Sequence, residues 1–392
     1  MEIYRKFKQK RRKIVEQIYL VYLGSIGHRA KANPSGCLVM KSIDEIKDAN
    51  YNFDFKYQRV IVPEVISIHS NSPKIHYFSF GEFFYEDLFP YTNCCIKIFF
   101  DFKPRKYFID LLNEYGDGKC TKYSDSVFLK GIDTNSLSTI YRKKAGFVDL
   151  FMLTKISQDR IELYVNKHYY SLFKLRIENV VPPGLHLRDI TYLKLLLNDF
   201  LTLHASAFAT SEDEGYLVLA PPNTGKSFVV TKLAEDGFKL LSEDLSVVNL
   251  RDLCIHAVPY TATFYHETSK LKYIAPLSYY IPVRRKVLGE LFKGKIIPKA
   301  KLKKIFILEY GRQPVFDRVD EDSALVEILN LTRNEFNLRS NLVINAILYH
   351  QKLDLESIEK EKFSRLIKRI DVIKIRANSP YEYLDIIKRK VR

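Results

Sequence analysis

The chain has 392 residues, 46% hydrophobic and 28% charged, with 26 Tyr, 26 Phe and no Trp. That length favours two domains, and the composition is that of a soluble globular protein able to bury a core rather than of a disordered or fibrous one. No apolar run reaches the roughly 18 residues of a helical membrane span, and most of the net charge of +16 sits in two segments, residues 2–13 (+6) and 284–304 (+8).

The opening "MEIYRKFKQKRRKIVEQIYLVYLG" has a basic front and an apolar middle. Glu16 and Gln17 interrupt the apolar part and no small-residue cleavage site follows, so the segment reads as a basic amphipathic helix and the protein as cytoplasmic. Its cations suit nucleic acid, anionic lipid or an acidic peptide, or simply a solvated helix face. No recognised nucleic-acid-binding module accompanies them. The five cysteines, Cys37, Cys94, Cys95, Cys120 and Cys254, lack metal-type spacing and read as buried free thiols. The histidines show no tight ligand pattern; a His256/His266 pair is the nearest approach.

Residues 1–183 read as an α+β N-terminal domain with many short strands, among them "YQRVIVPEVISIHS", "CCIKIFFDF", "SVFLKGI" and "RIELYVNKHYYSLFKLRI". No catalytic constellation falls here; substrate selection is the role that position suggests. "VVPPG" at 180–184 marks the boundary. Residues 184–392 read as an α/β core. "RDITYLKLLLNDFLTL" has helical spacing, and "HASAFAT" and "GYLVLA" pair across the turn "SEDEG". Then come a helix stopped by Gly237, strands "FKLLSED", "LSVVNL" and "KKIFILEY", helices "EDSALVEILNL" and "NEFNLRSNLVINAILYHQKL", and the strand "RIDVIKIRA". The last helix, "SPYEYLDIIKRKVR", has Ser379 as N-cap, Pro380 at N1 and Glu382 closing a capping box.

Between "GYLVLA" and its helix, positions 220–227 read Ala-Pro-Pro-Asn-Thr-Gly-Lys-Ser. A phosphate loop needs converging backbone N–H groups, a lysine on the outer phosphates, a hydroxyl for Mg²⁺ and a helix N-terminus behind them. Gly225, Lys226 and Ser227 supply the diagnostic end, and Asn223, Thr224, Gly225, Lys226 and Ser227 supply the amides. The two prolines lack N–H groups but lie earlier in the loop. Asn223 tolerates the left-handed region, whereas Ala220, at the usual first glycine, forbids it. Glu243 and Asp244 end an apolar strand 16 and 17 residues after Ser227. Phosphoryl transfer asks for one carboxylate on Mg²⁺ and often another to take the acceptor's proton. Adjacent strand residues face opposite ways, which lets the pair divide these roles.

Residues 203–248, "LHASAFATSEDEGYLVLAPPNTGKSFVVTKLAEDGFKLLSEDLSVV", resemble the core of HPr kinase/phosphorylase and its relatives, which include peptide-modifying serine kinases associated with lasso-peptide pathways. The resemblance implies a phosphoenolpyruvate-carboxykinase-like P-loop kinase core rather than a Ras-like one. It implies His204 near the phosphates, Lys226 on them, Ser227 and Asp244 at Mg²⁺, and Glu243 as base. Glu309 in "IFILEYG" resembles a late-strand glutamate that would join the metal site. The loop departs from the family's glycine-rich form, and Phe228 stands where the HPr enzymes carry an acidic residue, so the pattern fits an HPr-kinase-like kinase rather than HPr kinase itself.

The implied activity is ATP- and Mg²⁺-dependent transfer of the γ-phosphate to a hydroxyl, a serine of a protein or peptide, with a homo-oligomer left open. The rivals are a small-molecule kinase on the same core, or a non-catalytic nucleotide-sensing module with a basic nucleic-acid-binding arm. Residues 284–304 read either as a flexible, solvated lysine-rich loop or as a border of the site that holds an acidic substrate or the triphosphate. Arg284, Arg285, Arg312 and Arg333 are candidates for stabilising transferring charge.

Overall fold

The computed structural model describes residues 55–72, 80, 88–90, 92–116, 121–124, 126–133, 136–145, 148–171, 183–260, 262–263, 286–287, 291–336, 338 and 341–391. All of them fall in one compact unit, Asp54–Arg392. The basic N-terminal helix, Cys37, Cys120, His266, Arg284 and Arg285 lie outside the described residues.

The first sheet is built from β1 (Tyr57–Val62), β2 (Ile66–Ser70), β3 (Ile96–Phe102), β4 (Thr121–Ser124), β5 (Val127–Asp133), β6 (Ser136–Ala145), β7 (Val148–Ile156) and β8 (Arg160–Val165). They lie in the order β1-β2-β3-β8-β7-β6-β5-β4. Helices α1 (Arg105–Gly116) and α2 (Lys167–Ser171) accompany it. The run "YQRVIVPEVISIHS" is not one strand. Pro63 cannot donate to a ladder, Glu64 takes φ 63°, and the chain reverses with Val65 N–H bonded to Val62 O at 3.0 Å. Cys94 and Cys95 precede β3. Cys94 is buried as expected, but Cys95 is exposed, a correction to the reading of all the cysteines as buried.

The second sheet follows α3 (Pro183–Leu197). Its strands are β9 (Phe200–Leu203), β10 (Ala205–Ser211), β11 (Glu214–Leu219), β12 (Lys239–Ser242), β13 (Ser246–Asn249), β14 (Cys254–His256), β17 (Lys299–Tyr310), β18 (Val315–Arg318) and β19 (Asp371–Ala377). Strands β15 (Ala262–Thr263) and β16 (Lys286–Val287) form a separate pair. Helix α4 (Lys226–Glu235) follows β11. Helices α5 (Glu321–Glu335), α6 (Leu342–Gln351) and α7 (Leu355–Ile367) lie between β18 and β19, and α8 (Pro380–Val391) ends the chain.

The sheet order is β12-β10-β11-β17-β14-β13-β9, with β19 on β17 and β18 on β19. The long β17 joins two halves. Its start pairs antiparallel with β14, and its end runs parallel to both β11 and β19. Strand β10 is antiparallel to β11 and to β12. Strands β11, β12, β17 and β19 therefore all end on one edge, where β10 begins. In open α/β sheets that carboxyl edge is where ligands bind.

Two boundaries correct the helical reading. The helix expected through "FLTL" stops at Leu197, and after Asp199 at φ 64° the segment Phe200–Leu203 is a strand buried on both faces. A short, fully apolar run looks the same in either state until its partners are known. "NEFNLRSNLVINAILYHQKL" is also broken, because Asn341 caps α6 by accepting from Val343 and Ile344 N–H at 3.1 and 3.4 Å. The N-terminal cap of the last helix forms on the Ser379 side as read, but its return bond falls one residue earlier, on Asn378 rather than Ser379. Ser379 Oγ accepts from Glu382 N–H at 3.3 Å, while Glu382 reaches back to Asn378 N–H at 3.1 Å.

A separate apolar cluster ties α4 and α8 to this edge, with Phe208, Val229, Leu233, Phe306, Tyr383 and Ile387 fully or almost fully buried. The loop at the head of α4 is thereby held between a packed helix and a central strand.

Candidate active site

Strand β11 delivers the loop. Leu217, Val218 and Leu219 are fully buried and paired on both sides, so the loop starts from a fixed point. Ala220 keeps an ordinary φ and is itself buried. The turn comes later. Thr224 N–H and Oγ1 both donate to Pro221 O, at 3.3 and 2.9 Å, and the left-handed positions are Asn223 (φ 65°) and Gly225 (φ 103°). The chain therefore does not need a glycine at position 220, because asparagine at 223 takes the strained conformation. Gly225 caps α4 without a side chain, so the first amides of the helix stay open toward the loop, where its positive dipole end favours an anion.

Gly225 is also fixed by packing. A Cβ there would lie 2.7 Å from Pro380 Cγ, the first residue of α8. Gly225→Ala is expected to destabilise the fold by about 1–3 kcal/mol, from left-handed strain together with the clash. Thermal denaturation reads this directly, and an unchanged midpoint would contradict the packing.

The acidic pair and His204 meet at a seam between the two halves of the sheet. Only His204 separates β9 from β10, and only Glu243, Asp244 and Leu245 separate β12 from β13. Since β9 pairs with β13 and β10 with β12, the two crossings lie side by side. Serines fix them. Ser206 Oγ donates to Glu243 O, Ser246 Oγ donates to Ala205 O at 2.8 Å, and Ser242 Oγ meets Ser246 Oγ at 2.5 Å. All three serines are buried.

This seam faces the loop. Asp244 Oδ1 lies 3.1 Å from His204 Nε2 and 3.6 Å from Lys226 Nζ. Burial pushes the Asp244 carboxyl up, but the His204 hydrogen bond and the Lys226 charge outweigh it and hold it at about 2. Glu243 behaves oppositely. Burial and the neighbouring Asp244 charge raise it, against a hydrogen bond from Ser227 and the charges of Lys226 and His204. Burial lowers Lys226, opposed first by Asp244 and Glu243. Its Nζ is buried with no hydrogen-bond partner. With Asp244 at 3.6 Å as its nearest charge and no hydrogen bond, this desolvated ammonium is only partly compensated, and it sits at the head of a helix that favours anions. Of the two adjacent carboxylates, Asp244 is thus lowered and Glu243 raised from their ordinary values.

The structure brings together His204, Lys226, Ser227, Glu243 and Asp244, with Asn223, Thr224 and Gly225 forming the loop above them. Glu309 ends up on the same edge but in a separate group, pairing with Arg376 at 3.0 Å and approaching Lys374 at 3.9 Å. Arg312 is exposed in the turn after β17. Arg333 is bound to Glu359 at 2.8 Å, which also accepts from Tyr192 OH, so it serves the helical core. Three lysines of the basic segment are fixed away from the loop. Lys295 Nζ donates to Ala234 O at 2.7 Å, at the far end of α4, Lys299 pairs with Glu64 at 2.8 Å, and Lys301 donates to Asp252 O. These lysines cover the opposite edge of the sheet. Pro380 was read only as the first residue of the last helix, and Ser206, Ser242 and Ser246 were not singled out in the sequence. Their only signal was serine within otherwise apolar strands.

No family model matches the chain, and no curated protein matches it. Among solved structures it is similar to the HPr(Ser) kinase/phosphatase from Coxiella burnetii, at 13% identity over 48% of this chain and 95% of that one, with a TM-score of 0.27. No helix among the described residues is long and apolar enough to cross a membrane.

Proposed function

We propose that the chain is an ATP- and Mg²⁺-dependent kinase that transfers the γ-phosphoryl group to a hydroxyl, in the first instance a serine of a protein or peptide. The observation that carries this reading is the buried Lys226 ammonium at the head of α4, which makes no hydrogen bond and has Asp244 at 3.6 Å as its nearest charge, beside the Glu243–Asp244 pair.

The loop amides and Lys226 hold the β- and γ-phosphates, and the triphosphate supplies the acceptor that Lys226 Nζ lacks. Among the described residues no three of His, Cys, Asp and Glu form an all-protein metal cage. A Mg²⁺ bound with a nucleotide needs only one or two carboxylates beside phosphate oxygens and water, and Ser227 with Asp244 is such a set. When bound, the ion neutralises charge on the β- and γ-oxygens. Asp244, anionic throughout the working pH range, holds it. Glu243 takes the proton as the acceptor oxygen bonds to Pγ and the bond from Pγ to the β-γ bridging oxygen breaks, releasing ADP. His204 orients Asp244. In this reading Glu309, bound to Arg376, is not a metal ligand.

The test is transfer of labelled γ-phosphate from Mg-ATP to a serine-containing peptide library. Label on serine that is lost with Glu243→Gln supports the reading. Tight ATP binding with no transfer to any peptide or small-molecule hydroxyl would sink it.

A further inference from the structure

Phe228 and Tyr381 play no part in the transfer chemistry. Phe228 directly follows Lys226 and Ser227 on α4, and Tyr381 follows Pro380 on α8. Their rings meet edge to face, with centroids 4.9 Å apart and planes at 71°. Pro380, next to Tyr381, is the residue packed against Gly225. The aromatic pair is therefore fixed to the phosphate loop itself. Phe228 is half-buried against the α4–α8 core, while Tyr381 is 64% exposed. An aromatic ring braced from one side and open on the other is a stacking surface.

The sheet order says what covers it. The loop leaves β11. On one flank lie β10 and β12, whose ends carry His204, Glu243 and Asp244. On the other lie β17 and β19, and β19 runs on into Pro380 and Tyr381. A triphosphate lying along the loop with its γ end at Asp244 has its α end pointing to the second flank, and the nucleoside leaves there. We propose that Tyr381, braced by Phe228, is the stacking platform for the base of the bound nucleotide. The proposal rests on the reading of residues 220–227 as the phosphate site. Stacking uses the π-face that every base has, so the platform holds ATP and GTP alike. Phenylalanine after the loop serine, where the resemblance led one to expect an acidic residue, is what gives Tyr381 its brace.

Calorimetric titration of the full chain, in Mg²⁺, with ATP, GTP and tripolyphosphate separates the outcomes. Tyr381→Ala is expected to weaken ATP and GTP by about tenfold or more, the scale of one stacked base, and to leave tripolyphosphate unchanged. Tyr381→Phe is expected to bind all three as the wild type does. Unchanged ATP affinity in Tyr381→Ala overturns the platform. So does equal weakening of ATP and tripolyphosphate, which would mean that Tyr381 acts only through the packing of α8 on Gly225. A wild-type chain that binds neither ATP nor tripolyphosphate overturns the phosphate-loop reading itself.

Discussion

Lys226→Ala is expected to lower single-turnover phosphotransfer by about 10²–10³-fold, the usual loss when one preorganised charge is removed from a transferring phosphoryl group. The size of the effect follows from burial. The Lys226 ammonium is held out of water without a hydrogen-bond partner, so its field acts on the phosphates through a medium less polarisable than water. Its nearest charge, Asp244 at 3.6 Å, keeps a second partner in His204 at 3.1 Å. Removing the lysine therefore leaves the carboxylate oriented, and the defect falls on the nucleotide. Lys226→Arg is not expected to rescue, because a planar guanidinium does not replace a compact ammonium in a closed site. Wild-type rates in Lys226→Ala would contradict the assignment.

The second large effect belongs to Glu243. Glu243→Gln keeps an acceptor for the Ser227 hydroxyl and removes the base, so kcat is expected to fall by about 10²–10⁴-fold with little change in KM for ATP. The pH profile gives the sign. Burial and the Asp244 charge raise Glu243 above its ordinary 4.5. Below that raised value it carries a proton and cannot accept another, so the rate rises with pH and its acid limb lies above 4.5. That limb is expected to vanish in Glu243→Gln. Asp244, held at about 2, contributes no limb in the working range. Its depressed value means that the stability it contributes is present above its ordinary 3.8 and is lost as pH falls from there toward 2. An acid limb unchanged in Glu243→Gln would assign the base elsewhere.

What could be read from the sequence was local. The strand, the polar loop and the following helix form one continuous segment, as do Ser379, Pro380 and Glu382, and their chemistry is set by residues three or four apart. Asn223 was read as the left-handed position because asparagine tolerates it, and it takes φ 65°. The seam was not legible. The closeness of His204 and Asp244 depends on β9 pairing with β13 and β10 with β12, partners some 40 residues apart in the chain. The same holds for Glu309 and Arg333, whose neighbours Arg376 and Glu359 are set by strand register and helix packing. Charge density along residues 291–304 could not show that Lys295, Lys299 and Lys301 turn to the edge away from the loop. The segment Phe200–Leu203 was misread because burial on both faces erases the period that separates strand from helix.

The most direct test of the phosphate site is the thermal midpoint of wild type and Lys226→Ala, each with and without Mg-ATP. Ligand at about 100 times its Kd stabilises by about 2.7 kcal/mol, a rise of a few degrees for a domain of ordinary size. The expected result is that rise in the wild type and its loss in Lys226→Ala. No rise in the wild type, or an equal rise in both proteins, would contradict a nucleotide held by residues 220–227.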